Sequence, residues 1–424
     1  MTLCEPDLCS ACGACENACP KHCITIKENK KKILLPEIGE GCIECGKCRN
    51  VCPVLHPVIP KDTVMPKAYV TCFENEKVLG ESASGGMFTV LAEQTIKDGG
   101  SVFSAVYEEN FDVCFRKATA IEELQPMRAS KYVQSRVGGS YQQIKQDLDN
   151  GLSVLFCGLP CQAGGLRAYL GKDYSNLLIV DIVCHGVSPL FLLQMEIHRM
   201  EKEHQSKVAG INHTSKQNGW SILIQRCVEI RFENGETIYR DSSYDPYLIG
   251  YLSGLSYRES CYQCRFAKMP RVSDITIGDF FGLGVIKPFG HYNKKGMSQV
   301  IINTKRGMES FEKIKPGIFC EERELFECLA FNHNLWRPTP KQALHDVFMK
   351  DSLELSYDEL RKKYLDKKHS FRLKRALKHG VKKILGSKNT ARGMLAVYKR
   401  SGTLNRIKYI VDDLERTMER QEHQ

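Results

Sequence analysis

Long apolar runs are missing from this chain. No stretch approaches the roughly 18 uninterrupted apolar residues of a membrane-spanning helix. The best run, Leu177 to Val183, is broken by Asp181. The opening Met-Thr-Leu-Cys-Glu-Pro has no basic n-region and no apolar h-region, so no secretory signal is expected. Low-complexity tracts are absent, and no Ser-His-Asp set or glycosidase-type carboxylate pair stands out. Acidic residues are scarce in one place: Arg361 to Lys408 holds 17 Lys or Arg and one acid, Asp366. That stretch carries a net +16 against a total of +10, so the rest of the chain is mildly acidic at −6. At 424 residues, 42% hydrophobic and 26% charged, the chain reads as a soluble globular protein of two or three domains.

What is abundant is cysteine, with 20 in all. Without a signal segment, that number argues for metal and redox work in a reducing cytoplasm. Eight of them form a duplicated motif. Cys9, Cys12, Cys15 and Cys19-Pro20 recur 33 positions later as Cys42, Cys45, Cys48 and Cys52-Pro53. This is the bacterial ferredoxin spacing for two [4Fe–4S] clusters. Three thiolates two residues apart wrap one face of a cubane, and the fourth, before proline, turns to the other cluster. The expected sets are Cys9, Cys12, Cys15 and Cys52, and Cys42, Cys45, Cys48 and Cys19. Structural zinc favours two CxxC pairs and disulfides need an oxidising compartment. Neither explains the repeated third cysteine and the Cys-Pro ending.

The expected organisation is α+β in four parts: a ferredoxin unit over 1–56, a proline-bearing linker over 57–67, a mixed α/β domain over 68–340 and a basic helical tail over 341–424. Cys23 to Lys27 and Ile33 to Leu35 suggest a hairpin between the cysteine loops. Strands are expected at 68–73, 101–107, 113–118, 154–157 and 177–180. Helices are expected at 87–97 and 141–149, with another starting at Gly165. Strands alternating with helices argue for a parallel-rich sheet. Asn234-Gly235 marks an antiparallel hairpin between 222–232 and 236–239.

A second group of cysteines sits at strand ends and loops, where a sheet presents functional groups. Cys157 and Cys161 flank Gly158-Leu159-Pro160, Cys184 precedes His185-Gly186, and Cys261 and Cys264 form a CxxC. Four thiolates from three loops can close on a third cluster; buried core thiols are the alternative. Ser84-Gly85-Gly86 before a helix offers free backbone N–H groups to a phosphate, or is an ordinary cap. The polar run holding Lys131, Tyr132, Gln134 and Ser135 suits phosphates or a planar ring, or is a solvated loop.

In order and spacing, these stretches carry a resemblance. Ser84-Gly85-Gly86, residues 130–135, Gly158-Leu159-Pro160-Cys161-Gln162, residues 181–187, residues 258–264 and residues 274–280 together resemble the beta-subunit family of coenzyme F-420 hydrogenase and dehydrogenase. The resemblance covers about residues 67–320, and the fused ferredoxin unit also suits that family. It implies an FAD in the α/β domain, with Ser84, Gly85, Gly86, Lys131, Tyr132, Gln134, Ser135, Gly158 and Gln162 around it. It also implies a third [4Fe–4S] cluster on Cys161, Cys184, Cys261 and Cys264, with Cys157 a bystander.

The expected function is an iron–sulfur flavoprotein oxidoreductase. Its partners would be a redox protein or a small-molecule hydride donor or acceptor. The alternative is a non-catalytic ferredoxin-type subunit of a larger complex. Nucleic acid is not an expected partner, because no aromatic-rich basic platform accompanies the charge. In the tail, Leu373, Leu377, Val381 and Leu385 with interleaved Lys and Arg describe a cationic amphipathic helix. It suits peripheral binding to anionic lipid on the inner face of the membrane, or packing on the protein body. Leu404, Ile407, Val411, Leu414 and Met418 mark a second stripe, suited to a partner or to self-packing.

Overall fold

The computed structural model describes residues 3–220, 227–366, 396 and 402–422. At the N-terminus, β1 (Ile24–Glu28) and β2 (Leu34–Ile38) form the expected hairpin, with Ile24 opposite Ile38. The period-two alternation turns Ile24 and Ile26 inward. Two short helices, Ala14–Ala18 and Lys47–Asn50, carry the third cysteine of each motif. Each follows a glycine in the left-handed region, Gly13 at φ 87° and Gly46 at φ 73°. Thus the repeat duplicates a backbone turn as well as its cysteines.

The body is mixed α/β. Its strands are β3 (Thr63–Cys72), β4 (Ser101–Tyr107), β5 (Val113–Ala118), β6 (Val154–Gly158), β7 (Leu177–Ile182), β8 (Val208–Ser215), β9 (Cys227–Phe232), β10 (Thr237–Asp241), β11 (Ile275–Asp279), β12 (Ser298–Thr304) and β13 (Phe319–Arg323). Eight of them form one sheet in the order β13-β3-β12-β11-β7-β6-β4-β5. β4, β6, β7 and β11 run parallel at its centre. Antiparallel β12, β3 and β13 extend one side, and β5 the other. The parallel strands are covered on both faces, which is why Val154-Leu155-Phe156-Cys157 reads as an unbroken apolar run. β8, β9 and β10 make a separate antiparallel sheet, with Gly235 at φ 87° in the β9–β10 turn.

Two boundaries and one packing contact differ from expectation. β3 starts at Thr63, inside the stretch read as linker. It tolerates Pro66 because pairing with β13 reaches only Ala68, while a register shift relieves the β12 side. The helix expected from Gly165 starts at Pro160 and runs to Leu170. Proline is well suited to a first helical position. Gly164 and Gly165 lie inside this helix because other side chains crowd it there: a Cβ at Gly164 would come within 2.5 Å of the Phe266 ring. Finally, the second tail stripe packs on the body. In the helix Thr403–Glu422, Ile407 and Leu414 are buried with Leu79, Phe280 and Leu329. The first stripe, Leu373 to Leu385, lies outside the described residues. No described helix is long and apolar enough to cross a membrane.

Candidate redox sites

β6 and β7 are parallel neighbours, so the segments leaving their carboxyl ends lie side by side. Cys161 is in the first turn of the helix Pro160–Leu170 after β6, and Cys184 is in the loop after β7. Cys261 lies in the short helix Glu259–Tyr262, and Cys264 just beyond it. All four line one cavity. The CxxC loop is braced to β7 by a buried pair, in which Arg271 Nη2 donates to Asp181 at 2.6 Å and Nη1 donates to the Phe266 carbonyl at 3.0 Å. Burial, then the neighbouring Cys264 and Cys184, push the Cys161 thiol well above its ordinary value. Burial likewise pushes Cys261 up to about 12. A site that so disfavours free thiolates needs cations to hold them ionised. Among the described residues, three buried side-chain donors of this cavity have no hydrogen-bond partner: Ser10 Oγ, Gln134 Nε2 and Arg258 Nε. Four converging thiols and unspent donors suit an anionic iron–sulfide group.

A second, larger cavity of about 370 Å³ lies on the other side of the Cys184–Val187 segment. The two share Ser135, Leu159 and Gln162 as well as that segment. Ser84, Gly86, Lys131, Tyr132, Ser135, Gly158 and Gln162 line the larger one; Gln134 lines the cysteine cavity instead. Gly86, at φ 82°, starts the helix Met87–Lys97, whose first amides have no side-chain cap. Gly85 packs against backbone, since a Cβ there would lie 2.7 Å from both Ser298 N and Thr71 O. The Lys131 ammonium donates to the carbonyls of Pro126, Arg128 and Ala129, and its burial lowers its pKa to about 7. Gln162 accepts from Leu159 N–H at 3.0 Å and donates to Ser135 Oγ at 2.9 Å, so both ends of its amide are engaged. Tyr132, at φ 46°, stacks obliquely on Tyr251, with ring centroids 4.5 Å apart. Uncapped helix amides and a mostly apolar chamber suit a phosphate-bearing planar cofactor. Cys157 lines this cavity and not the cysteine cavity.

The duplicated motif folds with its fourth cysteines crossed. Cys19 lines one cavity with Cys42, Cys45 and Cys48. On the other side, Cys9, Cys12, Cys15 and Cys52 act electrostatically on one another. Each group has a fifth thiol that motif reading passed over. Cys23 Sγ is 3.4 Å from Cys19 Sγ. The neighbouring Cys4 thiol lowers the pKa values of Cys9 and Cys52. Cys23 had a local signal, four residues past Cys19; Cys4 had none.

The junction with the body was also illegible in the sequence. Leu8, Ser10 and Val54 of the ferredoxin unit help to line the cysteine cavity. Gly165 approaches Cys12 so closely that a Cβ would sit 2.9 Å from its Sγ. Tyr141 Oη is 2.7 Å from the carbonyls of both Cys12 and Gln162. Asn17 Nδ2 donates to the Gly138 carbonyl at 2.7 Å, and Arg265 Nη1 to the Val54 carbonyl at 2.7 Å. Arg258 donates to the carbonyls of Cys9 and Ser10. Asp274 serves the framework: its carboxylate accepts from Ile179 N–H, Thr304 Oγ1 and Arg167.

Comparison with known proteins agrees with the motifs. Residues 151–326 match the C-terminal domain of the beta subunit in the coenzyme F-420 hydrogenase/dehydrogenase family. Residues 8–56 match a 4Fe-4S dicluster domain. Among solved structures, a chain from the xenon derivatization of the F-420-reducing [NiFe] hydrogenase complex from Methanosarcina barkeri is 17% identical, with a TM-score of 0.42. The alignment covers 72% of this chain and 94% of that one. No curated protein matches the chain. The protein is thus an iron–sulfur protein of electron-transfer type, related over its central part to these beta subunits.

Proposed function

We propose that this chain is a flavin-dependent iron–sulfur oxidoreductase that joins a two-electron hydride carrier to one-electron carriers. The observation that carries the reading is the shared wall. The larger cavity meets the cysteine cavity along Cys184–Val187, and the cysteine cavity reaches the ferredoxin unit at Leu8, Ser10 and Val54. When bound, FAD supplies two-electron exchange on one side and one-electron exchange on the other, and [4Fe–4S] clusters carry single electrons. The chain's own residues hold and order these groups. The amides after Gly86 seat a phosphate, and Ser135, Gly158 and Tyr132 shape the chamber. Cys161, Cys184, Cys261 and Cys264 hold the third cluster. Tyr141 and Arg258 fix the Cys9–Cys12 loop against that site. Cys42 and Cys45 are exposed, which suits exchange with a redox partner protein. The cysteine chemistry suits a reducing cytoplasm.

The test is anaerobic isolation of the full chain with iron, sulfide and flavin analysis. About twelve irons and one FAD per chain are expected, four irons for each of three cubanes. About eight irons and no flavin would replace this reading with a non-catalytic ferredoxin-type subunit.

A further inference from the structure

We propose that Gln134 and Arg258 are the hydrogen-bond donors that set the potential of the cluster held by Cys161, Cys184, Cys261 and Cys264, and that Arg258 acts on the Cys9 cluster as well. This rests on the third cluster proposed above. Gln134 and Arg258 are only 6% and 2% exposed, yet each keeps one side-chain nitrogen, Nε2 and Nε, without an acceptor in the cysteine cavity. An unpaired buried donor costs about 1–3 kcal/mol. With Ser10 Oγ beside them, three unpaired donors on one small wall are hard to explain unless an acceptor fills the space between the thiols.

Both donors are held firmly. Gln134 N–H donates to the Ser188 carbonyl at 3.1 Å, which ties it to the loop bearing Cys184. Arg258 N–H donates to the Val187 carbonyl at 3.1 Å, and its own carbonyl accepts from Cys261 N–H at 3.0 Å. Its guanidinium then reaches across the junction to the carbonyls of Cys9 and Ser10. Arg258 is therefore a buried cation between two cysteine sets.

Reduction adds one negative charge to a cluster. A donor to its sulfurs, or a nearby cation, stabilises that charge and raises the potential. Gln134→Leu should lower the potential of the third cluster alone. Arg258→Met should lower those of the third cluster and the Cys9 cluster, and Arg258→Lys should restore part of the shift. The Cys19 cluster is the internal control. The measurement is a redox titration of the anaerobically isolated full chain, followed by electron paramagnetic resonance. At the wild-type midpoint, a variant should show about a tenfold lower reduced-to-oxidised ratio, ~59 mV for one electron. Potentials unchanged in both variants, with iron content intact, would overturn the inference. A wild-type chain without a third cluster signal would instead overturn the reading beneath it. Should a variant lose iron, electron–nuclear double resonance on the reduced wild-type protein decides. Coupling of the third cluster to side-chain 15N of labelled glutamine and arginine is expected, and its absence refutes the assignment.

Discussion

The two ferredoxin cysteine sets have one spacing and two environments. Cys9 and Cys12 are buried against the body, where Gly165, Tyr141 and Arg258 reach their loop. Cys42 and Cys45 are exposed, and Ile43 between them is 58% exposed. A duplication has thus been put to two uses. The inner set has fixed neighbours and suits an internal relay. The outer set opens to solvent and suits exchange with another protein. Identical motifs do not imply equivalent sites when a second domain covers only one of them.

The largest expected effect comes from removing the wall that makes the inner set special. Cys264→Ser should cost about four irons and stop electron passage between the flavin site and the ferredoxin unit, with both ferredoxin signals retained. Iron analysis and stopped-flow reduction check this; full iron with normal transfer would refute the ligand.

Next comes the contrast itself. Cys12→Ser and Cys45→Ser should each remove one ferredoxin cluster. The first should block internal transfer, whereas the second should leave it and impair reduction of an external one-electron acceptor. Equal effects of the two variants on internal transfer would erase the distinction.

A smaller effect is expected at the flavin seat. Gly86→Val places a β-branched residue at φ 82°, a strain of roughly 1–3 kcal/mol. FAD affinity should fall about tenfold or more, with the eight ferredoxin-type irons retained. Flavin fluorescence titration checks the first part and iron analysis the second. Unchanged affinity in a folded variant would remove the phosphate role.

The last effect is on stability alone, is confined to acid pH, and concerns the core behind the chamber. Burial drives the His213 pKa from 6.5 down to about 3, and neither ring nitrogen has a hydrogen-bond partner among the described residues. The native state keeps this ring neutral while the unfolded chain takes up a proton. Stability is therefore full above about 6.5 and is lost as pH falls toward 3. The expected slope is about 1.4 kcal/mol per pH unit. Urea unfolding at several pH values should show it in wild type and lose it in His213→Phe; parallel slopes would rule it out.

Much was legible without coordinates. The hairpin, the central strands and the helix over 87–97 followed from period and turn residues, because those signals are local. The start of the helix at Pro160 was not. Gly165 read as a helix start, but it and Gly164 are glycines because Cys12 and Phe266 occupy the space of their side chains. The polar run with Lys131 reads as suited to phosphates or a planar ring, or as a solvated loop; Lys131 lines the larger cavity, and its ammonium donates to three carbonyls of its own loop. Gln134 read as a flavin contact but faces the cysteines.

The sequence by itself determined the iron–sulfur chemistry of the ferredoxin unit. Three thiols two residues apart, with a fourth before proline, constrain a cubane through bond lengths and backbone reach alone. It also determined the parallel core, through apolar runs that only a doubly covered sheet accommodates. Tertiary structure decided which thiols, donors and cavities face one another. Cys161, Cys184, Cys261 and Cys264 are spread over about a hundred residues and meet because β6 and β7 are parallel neighbours and Arg271 pins the CxxC loop to Asp181. Arg258 stands between two cysteine sets because the ferredoxin unit docks there. Such juxtapositions depend on the packing of distant segments, for which no local spacing in the chain encodes a signal.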